Sequence, residues 1–160
     1  MQFTQSVSYP GTVDEVVAMY LTPAYLERRF GQFVVEGSQA VSAEGERVSF
    51  AGTVRPELIP AAAARFVKSD LRISFTEEWA RDEAGATSRT SVTVDDAPVS
   101  VEATSTLAPA DAGSVRVVTG NVSVRVPLLG GRIEKEAVAH LGRVVERERE
   151  LAATWLEEHR

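Results

Sequence analysis

The apolar residues of the chain change their spacing near residue 130. From Arg132 onward they recur at helical spacing, in a stretch that has no proline and only one glycine, Gly142. This pattern predicts one long amphipathic helix after the segment Pro127-Leu128-Leu129-Gly130-Gly131. Before that segment, apolar and polar residues alternate along most of the chain, as they do in half-buried strands. A sheet and a helix can each cover the apolar face of the other, so we predict one α+β domain over residues 1–160.

Seven segments show the alternation that is typical of strands. They cover residues 3–9, 32–42, 47–55, 71–79, 87–94, 99–107 and 115–126. The connections are short, with a hairpin turn expected at Glu44-Gly45, so the strands should form an antiparallel meander. Pro56 and Pro60 interrupt the pattern, and residues 61–68 should form either a short helical turn or an irregular lid.

Two short consecutive helices are predicted after the first strand. Thr12 and Glu15 have the spacing of a capping box, which places a helix over residues 13–21. Thr22 should cap the second helix, because Pro23 suits a first helical position and Gly31 can end it.

Composition and charge exclude several classes of function. The chain has 17 Lys and Arg against 23 Asp and Glu, a net charge of -6, which disfavours a nucleic-acid partner. It has no cysteine, so disulfides and thiolate nucleophiles are excluded. The N-terminal residues lack the basic start and apolar core of a signal peptide. No apolar run approaches the roughly 20 residues of a membrane span, and we expect a cytoplasmic protein.

Four ordered motifs extend over nearly the whole chain and resemble a known group of proteins. The motifs are Pro23-Ala24-Tyr25-Leu26, Pro60 with Phe66-Val67, Thr76-Glu77-Glu78-Trp79, and Pro127-Leu128-Leu129-Gly130-Gly131-Arg132-Ile133-Glu134. Together with the element order they resemble the START-like (SRPBCC) superfamily of birch-pollen-allergen-like proteins, polyketide cyclases and lipid-transfer domains. Within it, the chain is similar to an actinobacterial domain-of-unknown-function family.

The resemblance implies a helix-grip fold and a hydrophobic cavity. In that fold a seven-stranded antiparallel sheet wraps around the C-terminal helix, and the two short helices close one end. The resemblance brings no assigned reaction, and we predict no cofactor.

Apolar residues on the predicted inner faces are the candidates for the cavity wall, since ligand sites are mostly apolar hollows with a few polar groups. The alternative is that the same side chains fill the space. The candidates are Phe33, Val35, Phe50, Phe66, Phe75, Trp79, Leu107, Val122, Leu141, Val144 and Leu151.

Glu148 is the most informative single residue, and it is also a candidate for ligand contact. At about 100° per residue it lies near Leu141, at the centre of the apolar stripe of the long helix. A carboxylate without a partner would be costly there. We therefore expect Glu148 to pair with an arginine, to contact a polar group of a ligand, or to have a raised pKa. Alternatively, the sheet splays away at this level and Glu148 reaches water.

The remaining polar candidates have simpler structural readings. Glu134 is in the first turn of the long helix, where the helix dipole favours a carboxylate. His140 lies at the edge of the apolar stripe, and His159 should be frayed. Two such histidines do not make a metal site. Asp95-Asp96 precede Ala97-Pro98 and should form a turn.

Three functions remain open at this level. The leading hypothesis is a non-enzymatic protein that binds a small hydrophobic or amphipathic molecule, with access governed by residues 56–70 and the two short helices. The second is a polyketide cyclase or aromatase type of enzyme that uses Glu148 and His140. The third is a protein-interaction domain, including a homodimer, that uses an exposed sheet edge.

Overall fold

The computed structural model describes residues 1–64, 67 and 69–160, in which strands and helices follow in the predicted order. The strands form one antiparallel sheet in the order β1-β7-β6-β5-β4-β3-β2. This confirms the predicted helix-grip fold. The strands are β1 (Gln2–Tyr9), β2 (Ala40–Glu44), β3 (Arg47–Thr53), β4 (Arg72–Asp82), β5 (Gly85–Val94), β6 (Val99–Ala110) and β7 (Gly113–Val124). The helices are α1 (Val13–Tyr20), α2 (Pro23–Phe30), α3 (Ala61–Ala64) and α4 (Gly130–Glu158).

The starts of the two short helices follow the sequence signals. The Glu15 backbone N–H donates to the Thr12 hydroxyl, and the Thr12 N–H donates to the Glu15 carboxylate, both at 3.1 Å. This confirms the capping box. Thr22 is the N-cap of α2 as predicted, but its hydroxyl donates to the Ala18 carbonyl at 2.7 Å instead of capping the helix.

The starts of β2 and α4 differ from the predictions. The predicted strand over 32–42 is wrong in its first part, because Gly31–Phe33 is a 3-10 turn and β2 begins only at Ala40. Gly37 has a φ of 83°, which turns the chain between them. The long helix begins two residues before the predicted Arg132. A Cβ at Gly130 would clash with the Val124 carbonyl oxygen, so only glycine allows this tight turn.

The inner face of the sheet has a closed end and an open end. At the closed end, Tyr9, Trp79 and Leu107 pack with α1 and with Trp155 and Leu156 of α4. The open end is marked by two paired positions, Ile73 with Val94 and Val99 with Val124. A second cluster, beneath α2, is formed by Leu26, Val34, Val48, Phe50 and Phe75.

Helix α4 crosses the sheet from the open end to the closed end. The Gly130 N–H donates to the Val126 carbonyl near the end of β7, and Leu156 packs against Gly11 after β1. Among the described elements, α4 makes its main sheet contacts with β1 and β7. None of the helices in the described part of the chain has the length and apolar character needed to cross a membrane.

Candidate functional site

On β5 and β6 the inner-face side chains become more exposed from the closed end towards the open end. On β5, Ala86 and Ser88 are buried, whereas Thr90, Val92 and Val94 are half-buried. The same change occurs along β6, from buried Leu107 and Ser105 to half-buried members nearer the open end. Those members of β6 are Ala103, Val101 and Val99.

The facing stripe of α4 shows the same incomplete burial. Val138, Leu141 and Val145 are half-buried, while Ala152 and Leu156 further along the helix are buried. Because α4 covers mainly β1 and β7, the inner face of β5 and β6 near the open end keeps solvent-accessible apolar surface. We call this partly covered region, bounded by the half-buried residues of β5 and β6 and by those of α4, the inner gap.

A buried ion pair crosses the sheet beside the inner gap. Glu77 of β4 is 1% exposed and Arg116 of β7 is 3% exposed. The Arg116 Nη2 donates to Glu77 Oε2 at 3.0 Å and to the Ser88 hydroxyl at 3.0 Å, and its Nε donates to the Ser105 hydroxyl at 2.9 Å. The Thr90 hydroxyl donates to Glu77 Oε2 at 2.7 Å. The pair therefore has the hydrogen bonds that a buried charge requires.

A second ion pair joins α2 to α4. Arg29 donates from Nε to Glu148 Oε2 at 3.1 Å, and its Nη2 lies 3.0 Å from Glu148 Oε1. The Tyr20 hydroxyl donates to Glu148 Oε1 at 2.5 Å, and the hydroxyls of Tyr9 and Tyr20 are 2.6 Å apart. Since Tyr20 donates its proton to Glu148, Tyr9 donates to Tyr20.

Arg29 connects the two pairs into one buried polar cluster of Glu148, Arg29, Glu77 and Arg116. Its Nη1 lies 4.0 Å from Glu77 Oε1, and its guanidinium lies over the ring of Phe75 at 5.2 Å. Among the described residues, the buried Nη1 has no hydrogen-bond acceptor. The side chains of Arg29 and Glu148 retain 13% and 14% exposure, against 4% and 1% for Arg116 and Glu77.

The electrostatics of the cluster favour the charged forms. Burial raises the pKa of Glu77, but the charges of Arg116 and Arg29 and a hydrogen bond from Thr90 outweigh burial, so the net pKa is lowered. Burial lowers the pKa of Arg116, and the Glu77 carboxylate more than reverses this effect. Burial and the nearby Glu148 carboxylate both raise the pKa of Tyr20, so its hydroxyl stays protonated and can donate.

The predicted cavity residues occupy three different environments. Phe50, Phe75, Trp79, Leu107 and Val122 are buried in the packed core or the sheet, and Phe33, Leu141 and Leu151 are half-buried. Val35 and Val144 are exposed, at 41% and 45%. Phe66 lies outside the described residues, as do parts of the predicted lid at 61–68. The half-buried residues of β5 and β6 were not among the candidates.

For Glu148, the structure shows the first of the expected alternatives, since it pairs with Arg29. Glu77, Arg116 and Arg29 were not among the candidates predicted from the sequence. A signal was present, because Glu77 alternates with Phe75 and Trp79 on an apolar face. Arg116 likewise lies an even number of positions from Val122 and Val124, which places it on the same, inner face of β7. Arg29, on a short helix, had no comparable pattern.

The other polar candidates do not belong to the buried polar cluster. Glu134 accepts the Val124 N–H at 2.9 Å and pairs with the N-terminal amine at 3.2 Å, which fastens α4 to the sheet. His140 is exposed, eight residues from Glu148, or about 12 Å along the helix. His159 is not frayed as predicted, because it stacks on Trp155 with ring centroids 3.9 Å apart.

The predicted turn at Asp95-Asp96 is confirmed, with Asp96 at a φ of 59°. The described residues contain no group of three or more His, Cys, Asp or Glu side chains that could hold a metal ion.

Sequence comparison places the chain beside proteins without an assigned activity. The family described as "Protein of unknown function (DUF2505)" matches residues 4–156. An uncharacterized protein of Mycobacterium tuberculosis strain H37Rv is 25% identical over 166 residues, which cover 96% of this chain and 95% of that protein.

Solved structures share the fold at low sequence identity. Norcoclaurine synthase from Thalictrum flavum, in complex with dopamine and hydroxybenzaldehyde, has a TM-score of 0.62 at 12% identity, over 100% of this chain and 88% of that one. A STAR-related lipid transfer protein fragment from Xanthomonas axonopodis has a TM-score of 0.58 at 15% identity, over 92% and 85% of the two chains. These findings confirm the START-like fold and the family of unknown function that the motifs indicated.

Proposed function

We propose that this chain, which belongs to the DUF2505 family of proteins of unknown function, binds one small hydrophobic or amphipathic molecule in the inner gap. The observation that carries the proposal is the half-burial of apolar residues that face α4, on β5, β6 and α4 itself. Apolar surface that remains accessible inside a fold is stabilised when a ligand covers it, by roughly 25 cal/mol per Å².

The polar cluster supports an amphipathic ligand. Arg29 and Glu148 are the members of the cluster that keep some exposure. Glu148 lies on α4, one helical turn after Val145 of the inner gap, and Arg29 pairs with it. Mostly apolar walls with a few fixed polar groups are the usual composition of a small-molecule site. The names of two proteins of the same fold, one crystallised with small aromatic molecules and one called a lipid transfer protein, agree with such a ligand.

A substitution that fills the inner gap tests the proposal. Val101→Phe adds volume at a half-buried inner-face position, and Thr104→Phe adds the same side chain on the exposed outer face of the same strand. We expect Val101→Phe to weaken binding of 1-dodecanol at least about tenfold, since a ligand would have to displace the new ring. Thr104→Phe should bind as the unmodified chain does.

Binding is measured by native mass spectrometry with 1-dodecanol, dodecanoate, dodecylamine and 2-naphthol. The proposal fails if none of these four molecules binds the unmodified chain. It also fails if the two phenylalanine variants lose binding equally, because the ligand would then not lie between the sheet and α4.

A further inference from the structure

We infer that the end of the ligand that contacts the buried polar cluster is a neutral group. This group both donates and accepts a hydrogen bond, as an alcohol or phenol hydroxyl does. This inference rests on the proposed function and names the chemical class of its ligand. It follows from the charge and the hydrogen-bonding capacity of the buried polar cluster.

The cluster is already neutral as a unit. Arg29 and Arg116 carry two positive charges, and Glu77 and Glu148 carry two negative charges, with the ion pairs linked through Arg29. A ligand carboxylate, phosphate or ammonium brought against it would add a charge that nothing in the cluster balances. An uncompensated charge is costly to bury in a medium of low dielectric constant.

The two side chains that keep exposure differ in what they can offer. A guanidinium only donates hydrogen bonds, whereas a carboxylate only accepts them. Glu148 Oε1 already takes part in contacts with Tyr20 and Arg29, but Oε2 accepts a single hydrogen bond, from Arg29 Nε. Each carboxylate oxygen has two acceptor positions, so Oε2 can still accept a hydroxyl proton. The oxygen of the same hydroxyl can accept from Arg29 Nη1, which has no acceptor among the described residues.

The test compares three ligands that have the same chain and different ends. The unmodified protein is titrated at pH 7 with 1-dodecanol, dodecanoate and dodecylamine by native mass spectrometry. We expect 1-dodecanol to bind at least about tenfold more tightly than either charged molecule. Because an ionised chain also prefers water, the decisive result is how this order changes when the charge of the cluster changes.

Glu148→Gln gives the cluster one net positive charge, and we expect the preference for 1-dodecanol over dodecanoate to fall by about tenfold or more. Glu146→Gln is the matched control, since Glu146 lies two residues away on α4 with its carboxylate exposed against Arg149. This control should keep the original order. Arg29→Gln, which leaves one net negative charge, should shift the preference towards dodecylamine and serves as the second variant if Glu148→Gln does not fold.

The outcomes separate the inference from the proposed function. Equal binding of the three ligands, or a preference that the cluster variants leave unchanged, overturns the inference while binding in the inner gap still stands. If none of the three ligands binds, the proposed function fails and the inference fails with it.

Discussion

Glu77 projects from β4 between the inward side chains of Phe75 and Trp79, and it is 1% exposed. Its two oxygens accept hydrogen bonds from Arg116, Thr90 and the Trp79 indole N–H at 2.7 to 3.0 Å. A carboxylate is tolerated at this position because these donors replace the water that burial removes. Its loss would leave Arg116 buried without a counter-charge.

Replacing Glu77 should therefore destabilise the whole domain. We expect Glu77→Gln to lower the free energy of unfolding by about 3–5 kcal/mol, as when one partner of a buried pair is removed. Urea unfolding measures this loss. The neighbouring Glu78→Gln is the control, because Glu78 pairs with Arg47 on the exposed face and such pairs contribute under about 1 kcal/mol.

The same carboxylate should make stability fall in acid. The pKa of Glu77 is lowered from its ordinary value of 4.5, so the folded state holds the ionised form more firmly than the unfolded state does. Its contribution is present above pH 4.5 and is lost as the pH falls through the lowered pKa of the folded protein. Glu77→Gln should lack this part of the acid dependence. Equal unfolding of the Glu77 and Glu78 variants would contradict the account.

At the scale of single residues, the sequence indicated which face of a strand a side chain occupies. It did not indicate which distant residue that side chain pairs with. The alternation of apolar and polar residues along β4 agrees with the structure, in which Glu77 is buried on the inner face and Glu78 is exposed on the outer face. The partner of Glu77 is 39 positions away on β7, and a contact of that range depends on the pairing of strands that lie between them. The centre of the α4 stripe identified Glu148, but its arginine lies on a different helix, 119 positions earlier.

At the scale of elements, two adjacent arginines hold α2 against α4. Arg28 donates to Glu158 at 2.8 Å in an exposed pair, while Arg29 and Glu148 form the mostly buried one. The guanidinium of Arg28 also lies 5.0 Å from the centre of the Trp155 ring. The two arginines make similar ion pairs in different surroundings. Substituting each in turn therefore compares the stability contributed by a mostly buried pair with that of an exposed pair.

We expect Arg29→Met to reduce the free energy of unfolding by about 2–3 kcal/mol, because it leaves the Glu148 carboxylate without its charge partner. The value is below that of a fully buried pair, since the side chains keep about one-seventh of their exposure. Arg28→Met should cost under about 1 kcal/mol and should lose even that at high salt. Chemical denaturation at low and high salt measures both variants, and an equal cost for the two would refute the comparison.

Element boundaries were predictable where a local bond determines them. The capping box at Thr12 and the proline at the start of α2 predicted the two helix starts correctly, because each signal acts within one helical turn. The start of α4 and the first part of the second predicted strand were wrong. The start of α4 depends on the close approach of Gly130 to the Val124 carbonyl, and the turn before β2 depends on the positive φ of Gly37. The alternation of apolar and polar residues reveals neither feature.

At the scale of the whole molecule, the fold followed from one amphipathic helix and seven alternating strands, because each needs the other to cover an apolar face. The predicted cavity wall stays a prediction. Among its aromatic members, Phe50, Phe75 and Trp79 are buried in the core. The accessible apolar surface belongs to smaller residues near the open end, and the pattern of a strand does not show how far a helix covers it.

The central claim is that a ligand occupies the inner gap, and valine methyl groups report on it directly. In a methyl-labelled sample titrated with 1-dodecanol, we expect the NMR signals of Val92, Val99 and Val101 to shift, because these half-buried valines of β5 and β6 line the inner gap. The signals of Val117, which is exposed on the outer face of β7, should stay in place. Shifts confined to Val117, or no shifts at saturating ligand, would contradict the account.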